Sequence, residues 1–184
     1  ILWRHADGTI YIWLMNGGNI QGQAIIGNPG ADWSVADIAD LDGDGRDDIV
    51  FRRAADGYMY LWFMNGLSIA SATPFQTVSA VTWPAVYTGD FNGDGKADFL
   101  WKDTGGDTWV WLMNGATIAQ ATQVGNPGAS WGIHSLGDFD GDGRTDIVWR
   151  HADGTIFLWL MDGASVSAYL PVGNPGGAWS IVGP

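Results

Sequence analysis

The stretch Asp138-Phe-Asp-Gly-Asp-Gly-Arg-Thr-Asp146 decides the fold, because it concentrates four carboxylates in one loop and recurs at residues 40–48 and 90–98. Each copy has oxygen-bearing side chains at positions 1, 3, 5 and 9 and glycines at positions 4 and 6. Carboxylates this close repel one another unless a hard cation lies between them, and Ca²⁺ is the usual choice. The glycines permit the tight turn that points the oxygens inward. The sequence therefore predicts three calcium loops, with about three Ca²⁺ per chain.

The predicted metal ligands are the side chains at loop positions 1, 3, 5 and 9 and the backbone carbonyl at position 7. They are Asp40, Asp42, Asp44, Arg46 and Asp48; Asp90, Asn92, Asp94, Lys96 and Asp98; and Asp138, Asp140, Asp142, Arg144 and Asp146. An EF-hand is excluded because it needs a glutamate at position 12, and the chain contains no glutamate. A plain polar turn would explain one such segment, but three copies in one register favour calcium.

Internal repeats organise the rest of the chain. Residues 3–17 return as residues 149–163 with twelve of fifteen positions identical, and weaker copies lie at residues 51–66 and 101–115. The equivalent residues Ile1, Ile49, Phe99 and Ile147 are separated by 48, 50 and 48 positions. The chain is therefore predicted to contain four repeats of about 48 residues.

Each repeat is predicted to form four short strands joined by tight turns. The third acidic loop lies between predicted strands at residues 131–137 and 147–150, and further strands follow at residues 156–161 and 165–172. Asp-Gly between apolar runs is a strong hairpin signal. The segment Ile10-Tyr-Ile-Trp-Leu-Met15 is apolar on both alternating faces, so it must be covered on both sides. The pattern predicts an all-β protein, a β-propeller of four-stranded blades.

One propeller domain over residues 1–184 is expected, with blades at about 1–32, 33–82, 83–130 and 131–176. Residues 177–184 are predicted to supply the innermost strand of the first blade. The four blades could close as one ring without exposed edges. They could equally be half of a larger ring, completed by a second copy in a homodimer or by further sequence.

Tryptophan usage follows the repeats. Eleven of the twelve tryptophans lie at equivalent positions, which predicts packing between blades. Trp109 is the exception, with no predicted counterpart, and it is expected to share a strand face with Trp111.

The motif Asp-x-Asp/Asn-Gly-Asp-Gly-x-x-Asp, followed by a strand of the Ile-Val-Trp type and repeated near 48 residues, resembles the FG-GAP/VCBS repeats. The resemblance implies a calcium-bound β-propeller, as in integrin alpha subunits and some lectins, with calcium on the twelve side chains at positions 1, 3, 5 and 9. The chain has four repeats where integrin propellers have seven blades, and it lacks the Phe-Gly and Gly-Ala-Pro signatures. The first departure leaves the size of the ring open, and the second argues against integrin-like partner binding.

Composition limits the functional classes. The net charge of −12 argues against nucleic acid as a partner. No apolar run long enough for a membrane span is present, and cysteine is absent. Loops of this kind suit the millimolar calcium found outside cells, so we expect an extracellular, secreted or cell-surface protein.

The candidate ligand surface is the face opposite the calcium loops, because loops on rigid scaffolds carry function. It is predicted to hold amide, aromatic and cationic side chains that suit sugar recognition, namely Asn28, Asn126, Asn174, His5, His151 and Trp109. The sequence thus favours a calcium-stabilised, lectin-like carbohydrate-binding module and not an enzyme. The alternatives are an adhesion propeller that binds a cell-surface or extracellular protein, a polysaccharide lyase module using His134, and a repeat fragment with no ligand of its own.

Overall fold

A computed structural model of the chain describes residues 1–181 and consists of β-strands and connecting turns. The chain divides into two compact units, Ile1–Val81 and the part that begins at Thr82. Each unit contains two antiparallel sheets whose strands are adjacent in chain order.

The first unit holds sheet 1, with three strands, and sheet 2, with four. Their strands are β1 (Leu2–Arg4), β2 (Ile10–Asn16) and β3 (Asn19–Gly27), then β4 (Trp33–Ala39), β5 (Asp48–Arg53), β6 (Tyr58–Asn65) and β7 (Ser68–Thr77).

The second unit holds sheets 3 and 4, with four strands each. Their strands are β8 (Ala85–Gly89), β9 (Asp98–Lys102), β10 (Thr108–Asn114) and β11 (Thr117–Gly125), then β12 (Trp131–Gly137), β13 (Asp146–His151), β14 (Ile156–Met161) and β15 (Val166–Gly173).

The predicted all-β repeat organisation is confirmed, and the strands of sheet 4 begin and end within one residue of their predicted bounds. Each complete sheet is a four-stranded meander of the kind found in propeller blades. Sheet 1 has three strands, and residues 174–181 are not in a strand. The predicted innermost strand at 177–184 also includes residues 182–184, which lie outside the described residues. Its pairing with sheet 1 therefore stays a prediction.

Sheets pack together inside each unit, because strands such as β2, β6 and β14 are apolar on both sides. In the first unit, Ile10 of sheet 1 forms a buried cluster with Ile49, Phe51 and Trp62 of sheet 2. In the second unit, Leu100 and Val110 of sheet 3 belong to one buried cluster with residues of sheet 4. Complete burial of one such side chain contributes about 1.5–3 kcal/mol. These clusters fix the spacing of the sheets and hence the positions of the loops at both ends of the strands.

An aromatic pair recurs in every sheet, across the second and third strands of sheets 2, 3 and 4 and across the equivalent strands β1 and β2 of sheet 1. The ring centroids are 4.7–5.1 Å apart in the pairs Trp3–Trp13, Phe51–Trp62, Trp101–Trp111 and Trp149–Trp159. Trp109 lies opposite Trp101 in the strand register. The same register position holds Tyr11, Tyr60 and Phe157 in the other sheets. The expectation that Trp109 has no counterpart is therefore wrong, because a different aromatic residue fills that position in each of the other repeats.

In sheets 1, 3 and 4, a glycine-on-glycine contact ties the hairpin that precedes β2, β10 or β14 to the Gly-Asn-Pro-Gly segment at the end of the same sheet. Gly154 has a φ of 98°, and a Cβ there would lie 2.3 Å from the carbonyl carbon of Gly176. Gly8 and Gly106 meet Gly30 and Gly128 in the same way. Only a residue without a side chain fits this backbone conformation and this close approach.

Gly154→Ala should destabilise the protein more than Gly163→Ala, although both glycines have positive φ. The left-handed conformation costs an alanine about 1–2 kcal/mol at either position. At Gly154 the clash adds about 1–3 kcal/mol, whereas a Cβ at Gly163 meets nothing closer than 3.9 Å. Urea unfolding of the two variants measures the difference. Equal midpoints would show that the contact with Gly176 does not constrain the turn.

Candidate metal centres and ligand cavities

The acidic loops connect the first and second strands of sheets 2, 3 and 4. In the first loop, Asp40 organises the backbone: the N–H groups of Gly43 and Asp44 donate to its Oδ1, and that of Gly45 donates to its Oδ2. The same three bonds recur at Asp90 and Asp138. The loop is therefore curled around the carboxylate at position 1, as the Gly-rich sequence predicts.

The position-9 aspartate ties each loop to its sheet. Asp98 is fully buried, and its Oδ2 accepts from Phe91 N–H (3.0 Å) while its Oδ1 accepts from Met113 N–H (2.7 Å). Asp48 and Asp146 make the equivalent pairs of bonds. Since each carboxylate oxygen also has a second lone pair, this aspartate can hold the sheet and coordinate an ion together.

Three carboxylates converge in the first and third loops. Carboxylate oxygens of Asp40, Asp42 and Asp48 lie within 4.8 Å of one another, as do those of Asp138, Asp140 and Asp146. These are groups that could hold a metal ion. In the middle loop an amide, Asn92, replaces the carboxylate at position 3, so that loop offers one charge fewer.

In the first and third loops, the carboxylates at position 5 pair with the arginines at position 7. Arg46 donates to Asp44 at 2.7 Å, and Arg144 donates to Asp142 at 3.1 Å. Arg144 also lies 3.2 Å from a carboxylate oxygen of Asp162 in the turn between β14 and β15. Sequence reasoning counted position 7 only for its carbonyl and missed this side-chain pairing, although alternating acidic and basic residues were a signal for it.

Without a bound cation, burial of the ionised carboxylate at position 9 destabilises each folded loop. It raises the pKa of Asp98 to about 6, with smaller contributions from the neighbouring Asp94 and Asp90. The pKa of Asp48 is raised to about 6, and that of Asp146 is also raised, for the same reasons. A cation would reverse this, because a bound ion is the largest local charge in such a site. The donors are all oxygens, which suits hard cations such as Ca²⁺ and Mg²⁺.

At the other end of the strands, the three predicted asparagine ligands hold turns. Asn28 Oδ1 accepts from Gly30 N–H, and its Nδ2 donates to Thr9 Oγ1. Asn174 makes the equivalent bonds to Gly176 and Thr155. Asn126 accepts from Gly128 and donates to Asp107. Each amide thus uses both its oxygen and its nitrogen within the protein, and a ligand role for these residues stays a prediction.

The two predicted histidines occupy equivalent hairpins but differ in exposure. His5 Nδ1 lies 2.9 Å from Asp7, and His151 Nδ1 lies 2.9 Å from Asp153. The His5 side chain is 72% exposed and that of His151 is 29% exposed, because the His151 ring packs against Trp131 in a tilted arrangement with ring centroids 4.9 Å apart. His5 is therefore the more accessible of the two.

Cavities with aromatic walls lie at this end of the strands. One of about 200 Å³ in the second unit is lined by Pro127, Trp131, Trp149, Phe157, Trp159 and Tyr169. Its equivalent in the first unit, about 360 Å³, is lined by Pro29, Trp33, Phe51, Tyr60, Trp62, Ile69 and Ala72. A third of about 550 Å³ lies on sheet 1, lined by Trp3, Arg4, His5, Thr9, Tyr11 and Ile25. The sequence predicted the repeated aromatics as packing, but it gave no indication that they line cavities. Trp109 lines none of these three.

Repeated four-stranded meanders, each with an acidic glycine-rich loop after its first strand, define a blade-type repeat protein. The family model of the FG-GAP-like repeat matches residues 1–51, 40–101 and 90–149. The chain belongs to this family, as the loop motif predicted.

Among solved structures, the biofilm matrix protein Bap1 of V. cholerae is 21% identical, with a TM-score of 0.43 over 90% of this chain and 27% of that chain. BBS1N, crystallised in complex with ARL6DN, is 12% identical, with a TM-score of 0.43 over 93% of this chain and 48% of that chain. The C-terminal WD40 domain of Sif2 is 13% identical, with a TM-score of 0.48 over 95% of this chain and 57% of that chain.

The chain thus spans between about a quarter and just over half of these solved chains. Every TM-score is below 0.5, so none of these likenesses carries an inference about fold or function. A comparison with curated proteins gave no match. Across residues 1–181 there is no helix with the length and apolar character needed to span a bilayer.

Proposed function

We propose that the chain is a calcium-stabilised, extracellular carbohydrate-binding module and not an enzyme. One observation carries the proposal: within the sheets, the oxygen-rich loops lie at one end of the strands, and three cavities with aromatic walls are lined by residues from the other end. The first end suits a structural cation and the second suits a ligand with apolar faces.

Calcium would be held by the side-chain oxygens at positions 1, 3, 5 and 9 and by the backbone carbonyl at position 7, with Asn92 supplying the position-3 oxygen in the middle loop. The ion supplies charge neutralisation and fixes the loop. The chain's own residues do the rest: position 1 curls the loop, and position 9 ties it to the third strand of the sheet. FG-GAP repeats often bind calcium, and the oxygen-only donor sets fit it.

The cavity on sheet 1 supports the carbohydrate assignment. Trp3 is 46% exposed there, and Arg4, His5, Thr9 and Tyr11 supply hydrogen-bonding groups around it. Apolar walls with a few directed polar groups are typical of small-ligand sites. A protein partner on a cell surface or in the extracellular matrix is the competing class, and it predicts binding without sugar dependence.

The four sheets are proposed to be the blades of one propeller over residues 1–184, with the last segment completing sheet 1 or a second copy completing a larger ring. Native mass spectrometry in calcium distinguishes these arrangements. A monomer supports closure within one chain, and a dimer supports the larger ring.

Binding of the protein to a glycan array should be detectable in calcium buffer and should fall strongly in chelator, because the loops that order the sheets would lose their ions. A His5→Ala variant is expected to reduce signals that depend on the sheet 1 cavity, and it lies far in sequence from every acidic loop. A blank array, together with calcium-dependent capture of one extracellular protein, would replace the carbohydrate assignment with the protein-binding one.

A further inference from the structure

The middle and third acidic loops are hydrogen-bonded to one another within the second unit. The N–H of Thr145, at position 8 of the third loop, donates to the backbone carbonyl of Asp90 at 2.7 Å. The N–H of Gly163, in the turn after β14, donates to the carbonyl of Phe91 at 2.9 Å. Positions 1 and 2 of the middle loop are therefore held in place by sheet 4.

Close packing joins the same two loops. Gly89 immediately precedes the middle loop, and a Cβ there would lie 2.6 Å from Cγ2 of Thr145. A Cβ at Gly93 would lie 3.5 Å from Cγ of Arg144. The residue equivalent to Gly89 before the first loop is Ala39, so an acidic loop of this type does not itself require glycine there. Gly89 leaves the space that Thr145 occupies.

One peptide group connects the two proposed ion sites. The carbonyl of Arg144 is the predicted position-7 ligand of the third loop, and the N–H of Thr145 belongs to the same peptide. Every peptide bond described between residues 1 and 181 is trans, so this carbonyl and this N–H point in opposite directions. Ligation of the carbonyl would polarise the peptide and strengthen the bond that its N–H donates to Asp90. Asp90 is the residue whose carboxylate curls the middle loop.

We propose that the middle and third loops bind calcium cooperatively, with an ion in either loop raising the affinity of the other about tenfold. This inference rests on the proposed calcium binding and adds a coupling between two of its sites. Filling the third loop orders Thr145 and so fixes Asp90 before the middle loop is filled. The next ion then orders a loop that has already lost part of its conformational freedom. Thermodynamic linkage makes the effect reciprocal.

The charges of the two sites act against this coupling. An ion in the third loop weakens the negative potential that attracts an ion to the middle loop. Salt screens that opposing effect beyond a Debye length of about 8 Å at physiological ionic strength, but it leaves a hydrogen bond between packed backbone groups in place. The ratio of affinities should therefore increase when potassium chloride is added, whereas a purely electrostatic interaction would give a ratio below one.

Calorimetric titration of full-length variants with calcium measures the coupling. Each variant loses the side chain at position 3, which accepts from the N–H at position 5 of its own loop, so the tie between loop and sheet is retained. Asp42→Ala disables the first loop, which lies in the other unit. In that background, addition of Asp140→Ala leaves the middle loop, and addition of Asn92→Ala leaves the third loop. The constant for filling both loops together should exceed the product of the two single-loop constants about tenfold.

Native mass spectrometry tests the coupling without single-loop variants. In an Asp42→Ala chain that also carries Asn92→Asp, the two remaining loops have the same four carboxylates. At half-saturation, a tenfold coupling leaves about a quarter of the chains with one ion, against about half for independent sites of equal affinity. A one-ion share of half or more would overturn the coupling and leave calcium binding intact.

Gly89→Ala in the Asp42→Ala background tests the contact without altering a predicted ligand. The new Cβ would displace Thr145, and the coupling should fall to less than about threefold. Gly137→Ala is the matched control, because Gly137 precedes the third loop and a Cβ there would meet Phe139 at an ordinary 3.5 Å. It should leave the coupling unchanged. Adding Thr145→Ala to Gly89→Ala removes the clashing methyl group and should restore part of the coupling.

The possible outcomes separate the coupling from the calcium binding on which it rests. A joint constant equal to the product of the single-loop constants would overturn the coupling, and an unchanged coupling in Gly89→Ala would overturn the assigned contact. Either result leaves the proposed calcium binding in place. If the wild type takes up no calcium in the titration, calcium binding itself fails, and the coupling fails with it.

Discussion

Removing calcium should lower the melting temperature by roughly 15–30 °C. An ion at a hundredfold excess over its Kd adds about 2.7 kcal/mol per site, and three sites together add about 8 kcal/mol. In a chain of this size each kcal/mol shifts the midpoint by about 2–4 °C. The physical reason is the clustering of carboxylates whose oxygens lie within 4.8 Å of one another. Calorimetry in calcium and in chelator measures the shift.

Two further experiments test whether calcium in the loops causes this shift in melting temperature. Asp142→Ala alters one loop at an exposed carboxylate, so in calcium it should reproduce about a third of the shift or less, and in chelator it should have little effect. Magnesium in place of calcium tests selectivity, because Mg²⁺ demands nearly ideal octahedral geometry and gives up its water reluctantly. Identical melting of the wild type with and without chelator would rule out calcium as a structural element.

Asp98→Ala should be the most damaging loop substitution, and it should destabilise the protein in chelator as well as in calcium. The variant leaves the N–H groups of Phe91 and Met113 without their acceptor in a buried place. An orphaned buried donor costs about 1–3 kcal/mol, so the loss without calcium is about 2–6 kcal/mol. In calcium the lost ion adds about 2.7 kcal/mol more at a hundredfold excess. Guanidinium unfolding under both conditions gives the two values.

Asp94→Ala in the same loop is the matched comparison for Asp98→Ala. The Asp94 carboxylate is exposed and accepts only from groups within the loop, Lys96 N–H and Asn92 Nδ2. Its removal should therefore matter mainly when calcium is present. If Asp98→Ala were as mild as Asp94→Ala in chelator, the tie between loop and strand would not contribute to stability.

Local sequence features predicted most of the fold. The loop motif concentrates its chemistry in nine consecutive residues, and strand periodicity is readable in a short window, so the loops and the strands of sheet 4 could be located from the amino-acid sequence alone. The curl of the loop around Asp138 follows from the same local pattern, because glycines at positions 4 and 6 supply the donors.

The parts of the site that the sequence did not predict depend on groups far apart in the chain. Pro127 and Tyr169 meet at one cavity although 42 positions separate them. The counterparts of Trp109 could not be recognised from the sequence, because the repeats share an aromatic ring at this position while the residue type changes from repeat to repeat. The amide of Asn126 finds its partner in Asp107, on the hairpin of the same sheet. Strand register, which no short window specifies, creates all three relations.

The bonds from Met64, Met113 and Met161 to the position-9 aspartates have a practical consequence. Each amide proton lies on the third strand of its sheet and points at a carboxylate that would also touch an ion. The three carboxylates belong to three different loops. Nuclear magnetic resonance signals of these three protons would act as separate gauges, one for each ion, so that filling of the three sites could be followed individually during a single titration.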